Sequence, residues 1–251
     1  MMTPMPPARI AARDRLIIAL DLASVEESRR LVETLDGAAS FFKVGLALQL
    51  ASGVEAFIRS LISQGSKVFL DYKYYDVPET MKKAVSRAAG LGVSFLTIHG
   101  PGELIRSAVA ARGASPLKLF TVTVLTSMDA ADMAEMGYTG HSVEQLVLFR
   151  ARKALEAGSD GVIASGHEAA RIRELSAKLL IVTPGIRPQG YPQDDQKRRA
   201  TAAGAILAGA DYLVVGRPVT EAADPLREVE RFLLEMQAAF DTRPAAVPSV
   251  P

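Results

Sequence analysis

Cysteine is absent from the 251 residues, which removes disulfides, thiolate metal sites and a cysteine nucleophile, and fits a reducing interior. A charge excess is missing as well: 29 Lys and Arg against 28 Asp and Glu leave a formal charge of +1. That balance gives no general pull toward nucleic acid or anionic lipid. No apolar run is long enough to span a bilayer. The opening "MMTPMPPARIAARD" has prolines and scattered arginines but no continuous apolar core of a signal peptide. The three histidines are scattered, and none pair at metal-ligand spacing. These absences leave a globular protein expected in the cytoplasm, with no membrane or nucleic-acid partner. About half of its residues are apolar, enough for a large core.

What is present is a repeat of short apolar runs and longer amphipathic segments. The runs are "LIIAL" (16–20), "FFKVGL" (41–46), "KVFL" (67–70), "VSFLTI" (93–98), "LFTVTVL" (119–125), "GVIAS" (161–165), "LLIVT" (179–183) and "YLVVG" (212–216). Runs apolar on both faces suit a parallel sheet covered by helices. Ser24 with Glu27, and Ser142 with Gln145, read as capping boxes, and Asp224-Pro225 reads as the start of the last helix. Gly37 and Gly158 mark helix ends. Eight strand–helix units in this length point to a single (β/α)8 TIM barrel, with a doubly wound open sheet as the competitor. No linker divides the chain. Residues 14–240 are expected to form the barrel, with disordered ends at 1–13 and 241–251.

A barrel puts its chemistry at the C-terminal ends of the strands. Nearly every run here ends in a polar or charged residue: Asp21, Lys43, Asp71 with Lys73, His99, Thr126 with Ser127, Ser165, Arg187 and Arg217. In "DYKYYD" (71–76), Asp71 and Lys73 stand two apart, so on a strand they share a face, while Tyr72 turns toward the helix layer. Asp76 lies past the strand end and is expected to leave its own mouth. With Asp21 and Lys43 the set forms an alternating, nearly neutral chain of charges. The alternative is a solvated salt-bridge cluster in a loop.

At the other side of the rim, "TPGIRPQG" and "GRPVT" bring glycines and two arginines to the ends of the seventh and eighth runs. Loops at these positions commonly bind phosphate in this fold. "PQGYPQDDQKRR" is long and polar for a barrel connection and reads as a lid, with Gln196 able to close over a phosphate. His99 is either a metal ligand or a hydrogen-bonded rim residue, and His141 and His167 read as surface residues at helix entries.

Together these motifs make residues 14–240 resemble orotidine 5′-monophosphate decarboxylases of the bacterial type. The pieces are "ALDL" with Asp21, "FKVGL" with Lys43, "FLDYKYYDVPET", "TVLTSM", "VTPGIRPQG" with "DQKRR", and "VVGRPVT". Tyr74, Tyr75 and Glu79 depart from the family's usual residues. The resemblance implies conversion of OMP to UMP and carbon dioxide, the last step of de novo pyrimidine nucleotide synthesis, with no metal or organic cofactor. Lys73 would be the proton donor at C6, flanked by Asp71 and Asp76. Asp21 and Lys43 would hold the ribose, Thr126 or Ser127 the pyrimidine edge, and Arg187, Gln196, Gly216 and Arg217 the phosphate. A homodimer is implied, with Asp76, and Thr80 beside it, entering the neighbouring site.

Two other readings stay open on residues alone. Magnesium-dependent sugar-phosphate synthases or decarboxylases of the superfamily place an acidic metal ligand where this chain has Lys43. A phosphate-ligand sensor on a barrel scaffold would bind without turnover.

Overall fold

A computed structural model describes residues 11–243. Eight parallel strands close in sequence order: β1 (Leu16–Ala19), β2 (Phe41–Gly45), β3 (Lys67–Tyr74), β4 (Phe95–Ile98), β5 (Lys118–Val122), β6 (Gly161–Ile163), β7 (Leu180–Thr183) and β8 (Tyr212–Val215). β1 pairs with both β2 and β8, which settles the choice between barrel and open sheet. The helices are α1 (Val25–Thr34), α2 (Val54–Ser63), α3 (Pro78–Leu91), α4 (Gly102–Arg112), α5 (Ala130–Glu135), α6 (Val143–Glu156), α7 (Ala169–Leu175), α8 (Ala202–Leu207), α9 (Arg217–Thr220) and α10 (Pro225–Thr242). Among the described residues, no helix is long and apolar enough to cross a membrane.

The strand alternation sorts the apolar residues into two cores. Ile17, Phe41, Phe69, Phe95, Phe120 and Val214 turn inward, while neighbours such as Ile18, Phe42, Val68 and Leu70 pack under the helices. Phe95 lies at the centre of the inner group, its ring centroid 4.8 Å from Phe41, 4.5 Å from Phe120 and 5.0 Å from Tyr212. These rings plug the barrel, so polar side chains at the strand ends stand above an apolar floor. Tyr72 and Tyr74 pack on the outer core, as the alternation requires. Burial and a neighbouring Tyr74 push the Tyr72 hydroxyl up to about 12.

Helix starts follow the capping chemistry with one correction. Ser142 and Gln145 form the full reciprocal box at α6. Ser24 Oγ accepts from the Glu27 N–H at 3.1 Å, but no reciprocal bond from the Glu27 side chain closes the box at α1. Glu27 is exposed, so water serves its carboxylate as well as the cap would. A further box, Asp129 with Asp132, starts α5.

The expected domain ends also shift. Ala12–Asp14 form a 3₁₀ turn in which Ala12 is buried, its N–H bonded to Gln237 Oε1 of α10 at 3.0 Å. At the far end α10 runs to Thr242, and the Arg243 guanidinium bonds Ala210 O at 2.8 Å and Gly209 O at 3.1 Å. The boundaries expected at 14 and 240 therefore fall inside ordered structure, because apolar burial and backbone acceptors continue past them. The rest of the two expected loose ends lies outside the described residues.

Candidate active site

Charged residues continue the inward columns of the first three strands above the aromatic floor. Lys43 Nζ stands 2.8 and 3.0 Å from the two carboxylate oxygens of Asp21 and 3.6 Å from Asp71 Oδ2. Asp71 Oδ1 in turn accepts from Lys73 Nζ at 3.0 Å. The alternating chain expected from the spacing is thus a continuous line of four groups across β1, β2 and β3. Lys43 is 6% exposed, and a buried cation of this kind needs partners on both sides. Burial pushes the Asp71 carboxyl up, but the charges of Lys43 and Lys73 and the hydrogen bonds from Lys73 and Thr97 outweigh it. Its pKa ends below the ordinary value.

Two residues outside the charged set shape this line. Gly45 follows Lys43 at the next inward position, where a Cβ would stand 2.7 Å from Asp21 Oδ1 and 2.8 Å from Lys43 Nζ. Only glycine leaves the pair its space. Thr97 of β4 is fully buried; its hydroxyl donates to Asp71 Oδ1 at 3.0 Å and accepts from the Lys73 N–H at 2.9 Å. Both could have been found from the alternation: Thr97 is two residues past the inward Phe95, and Gly45 two past Lys43.

The geometry at Lys73 differs from a plain strand. The β3–β4 register shifts between Leu70 and Tyr74, and Lys73 has φ of +49°. The left-handed region costs a non-glycine residue roughly 1–2 kcal/mol. Lys73 and Asp71 do meet, but through this local irregularity rather than by alternation alone. The Thr97 hydroxyl and the pairing of Tyr74 with Ile98 hold the kink from both sides.

Opposite the charge line lies the end that carries the two arginines. One cavity of about 470 Å³ is lined by Asp21, Lys43 and Asp71 on one side and by Thr126, Arg187, Gln196, Gly216 and Arg217 on the other. Lys73 borders it through Asp71, and its own side chain lines two smaller cavities of about 220 and 270 Å³. Arg187 is buried, bonded to Asp194 Oδ2 at 2.8 Å with its guanidinium over the Tyr191 ring. Arg217 opens α9 and pairs with Asp195 and, at 3.4 Å, with Asp194. The Thr126 hydroxyl donates to Gln196 Oε1 at 2.6 Å. Gly185, at φ +74°, makes room for this contact: a Cβ there would stand 3.1 Å from Gln196 Oε1. Ser127 stands outside the cavity lining, so Thr126 is the residue of that pair directed into it.

Asp76 and Thr80 are exposed and line the cavity of about 270 Å³ with Lys73. Asp76 Oδ1 accepts from the Val77 N–H at 2.7 Å, and Asp76 forms no ion pair among the described residues. His99 is a hydrogen-bonded rim residue: its Nδ1 accepts from the Gly100 N–H at 2.8 Å and its ring lies 5.5 Å from that of Tyr75. His141 and His167 are exposed. No group of three or more acidic or histidine side chains stands at metal-binding separation among the described residues.

Comparison with known proteins gives this rim a context. An orotidine 5′-phosphate decarboxylase from Nitrobacter winogradskyi is 53% identical over 230 residues, 91% of this chain and 95% of that protein. One from Methylobacterium nodulans is 47% identical over 237 residues, 93% of this chain and all of that protein. The crystal structure of orotidine 5′-phosphate decarboxylase from Lactobacillus acidophilus superposes with a TM-score of 0.77 at 34% identity, covering 88% of this chain and 98% of that one. The chain belongs to the orotidine 5′-phosphate decarboxylase / HUMPS family, whose description matches residues 14–232.

Proposed function

We propose that the protein converts orotidine 5′-monophosphate to UMP and carbon dioxide, with Lys73 as the proton donor. The observation that carries this reading is the unbroken line Asp21–Lys43–Asp71–Lys73, whose first three groups face Arg187, Gln196 and Arg217 across one cavity while Lys73 stands behind Asp71 at its border. Two arginines and an amide suit a phosphate; a carboxylate–ammonium pair at the opposite end suits the carbanion left when a carboxyl group departs as carbon dioxide. The near-neutral sum of the line leaves the ligand's own charges to the arginines.

In the reaction the bond from C6 to its carboxylate breaks, the electron pair stays on C6, and carbon dioxide leaves. A proton passes from Lys73 Nζ to C6, and solvent later restores it. Asp71 lies near the substrate carboxylate in this arrangement. Two unit charges about 4 Å apart at an effective dielectric near 20 repel by roughly 4 kcal/mol, whereas the largest enzymatic accelerations need on the order of 20 kcal/mol. Repulsion is therefore a minor contributor. Most of the stabilisation comes from the fixed Lys73 ammonium beside the developing carbanion, supported by binding energy from the remote phosphate. The strain at Lys73 and the two bonds of Thr97 that hold it are what such fixing requires.

Asp21 and Lys43 hold the ribose hydroxyls, Thr126 the pyrimidine edge, and Arg187, Gln196, Gly216 and Arg217 the phosphate. The segment 188–199 serves as the lid. The protein acts as a homodimer in which Asp76 and Thr80 of one subunit complete the other's site; their exposure, and the lack of an ion pair at Asp76 among the described residues, support this. No metal ion enters the chemistry: a cation ligand would be needed at the end of β2, where Lys43 stands.

The test is loss of orotidine-monophosphate absorbance with stoichiometric formation of UMP, run with and without chelator, on the native chain and on Lys73→Ala. Native turnover indifferent to chelator and a variant at least ~10⁴-fold slower, from loss of donor and electrostatic stabiliser together, are expected. Tight nucleotide binding without turnover, or activity that needs magnesium, refutes the reading.

A further inference from the structure

Beside the segment that leads into Thr126, outside the cavity lining, lies a buried ion pair. Arg198 and Glu168 are 8% and 5% exposed, with Arg198 Nη1 donating to Glu168 Oε1 at 2.6 Å. The pair is incompletely served: Arg198 Nε and Glu168 Oε2 are buried without a hydrogen-bond partner among the described residues. Apolar residues of similar volume commonly do as well as such a pair for stability alone. Stability alone therefore gives no reason for the pair.

The remaining bonds of Arg198 show what it holds. Nη2 donates to Val124 O at 2.8 Å and to Leu125 O at 2.9 Å, and the backbone N–H donates to Thr126 O at 3.1 Å. One residue therefore holds three successive carbonyls, those leading into Thr126. Two positions before Arg198 is Gln196, the acceptor of the Thr126 hydroxyl. Around it, the lid base is held from other sides. Ile186 and Ala200 form a parallel bridge, and His167 Nε2 contacts Arg199 O at 2.8 Å. Gly166 packs so close that a Cβ would stand 2.7 Å from Ala200 Cβ.

We infer that Arg198, oriented by Glu168, is a positioning residue that sets the register between the Thr126 loop and the Gln196 segment. It touches no ligand; it fixes the separation of the base-edge contact and the phosphate contact, so that one nucleotide 5′-phosphate spans both. This rests on the nucleotide reading of the site given above.

The variant that tests it is Arg198→Lys. Lysine keeps a positive charge beside Glu168, but its single nitrogen cannot stand where Nη1 and Nη2 both stand. Three ligands are titrated: UMP, uridine and inorganic phosphate. The clamp predicts UMP affinity lowered at least tenfold, with kcat/KM for orotidine monophosphate lowered in parallel mainly through KM. Uridine and phosphate, each meeting one loop, should weaken by less than threefold. Glu168→Gln, with Arg198 intact, keeps an acceptor for Nη1 and should leave UMP affinity within threefold of the native chain. Equal weakening of all three ligands, or UMP affinity unchanged in Arg198→Lys, overturns the inference. If Arg198→Lys does not fold, Glu168→Ala carries the same titrations, and failure of both to fold overturns it too, because the pair is then a folding element. The native chain's turnover is measured first; its absence would refute the decarboxylase reading while the three-ligand comparison still judges the clamp.

Discussion

Replacing Lys43 by methionine removes the middle cation of the charge line while roughly keeping its buried volume. Its Nζ lies 3.6 Å from Asp71 Oδ2, so at an effective dielectric near 20 the lost attraction is about 5 kcal/mol as an upper bound. Lys73 and Thr97 remain beside Asp71, and its side chain is 17% exposed, so its pKa should move up, by less than the lost attraction alone would give. In the native chain the Asp71 carboxyl lies below its ordinary 3.8. Its contribution to stability is present above that value and is lost as pH falls through the folded pKa. In Lys43→Met the folded carboxyl ionises less readily, so this contribution shrinks and what remains of it is lost at a higher pH. The variant should approach the native chain at the acid end, where Asp71 is protonated in both, and fall behind as pH rises, by about 3 kcal/mol at neutrality, the low end for breaking a buried pair because one cation stays. Asp21 is half exposed and is served by water once freed. Urea unfolding from pH 3 to 8 measures the divergence, and the acid limb of kcat/KM should move upward with it. A stability difference independent of pH, with an unmoved acid limb, would refute the coupling of Lys43 to Asp71.

Two further outcomes follow from the rim. Arg217→Ala should chiefly raise KM, by about ten- to a hundredfold, the worth of one charge-assisted bond; the gain is moderated because a phosphate must displace Asp195 from Arg217. Steady-state kinetics check it, and a loss confined to kcat would count against phosphate holding. His99 is held below its ordinary 6.5 by burial first and by Arg150 second. The unfolded chain therefore takes up a proton below pH 6.5 that the folded chain refuses, so stability drops as pH falls from 6.5 to the folded value and then levels. In His99→Asn this part of the slope should vanish in urea titrations between pH 5 and 7; an unchanged slope would be contrary.

Much of the fold was legible because burial on both faces leaves a plain mark: each apolar run contains or overlaps one strand. The closure of the barrel was legible only through the count of units, since the pairing of β1 with β8 is a contact between chain ends. The ends themselves were misjudged by two or three residues. Ala12 and Arg243 are ordered by contacts with Gln237, Gly209 and Ala210, and such long-range partners have no local signature. Half of the Ser24 box failed for a similar reason, as an exposed glutamate has water as an equal partner.

At the site, residue types and strand ends were enough to bring Asp21, Lys43, Asp71, Lys73, Thr126, Arg187, Gln196, Gly216 and Arg217 to one rim, because a charge at the end of an apolar strand has only that rim to go to. What alternation could not supply was conformation. It treats Lys73 as an ordinary strand residue, whereas φ of +49° swings its backbone out of the ladder. A lysine is a poor occupant of the left-handed region, so nothing in "DYKYYD" announces it. The conformation is imposed by Thr97, a residue of the next strand whose hydroxyl serves the Lys73 N–H and the Asp71 carboxylate together. The same hydroxyl thus fixes the donor's backbone and the counter-ion's oxygen. The separation of Lys73 and Asp71 is therefore set by β4, and not by the two-residue spacing from which it was first read.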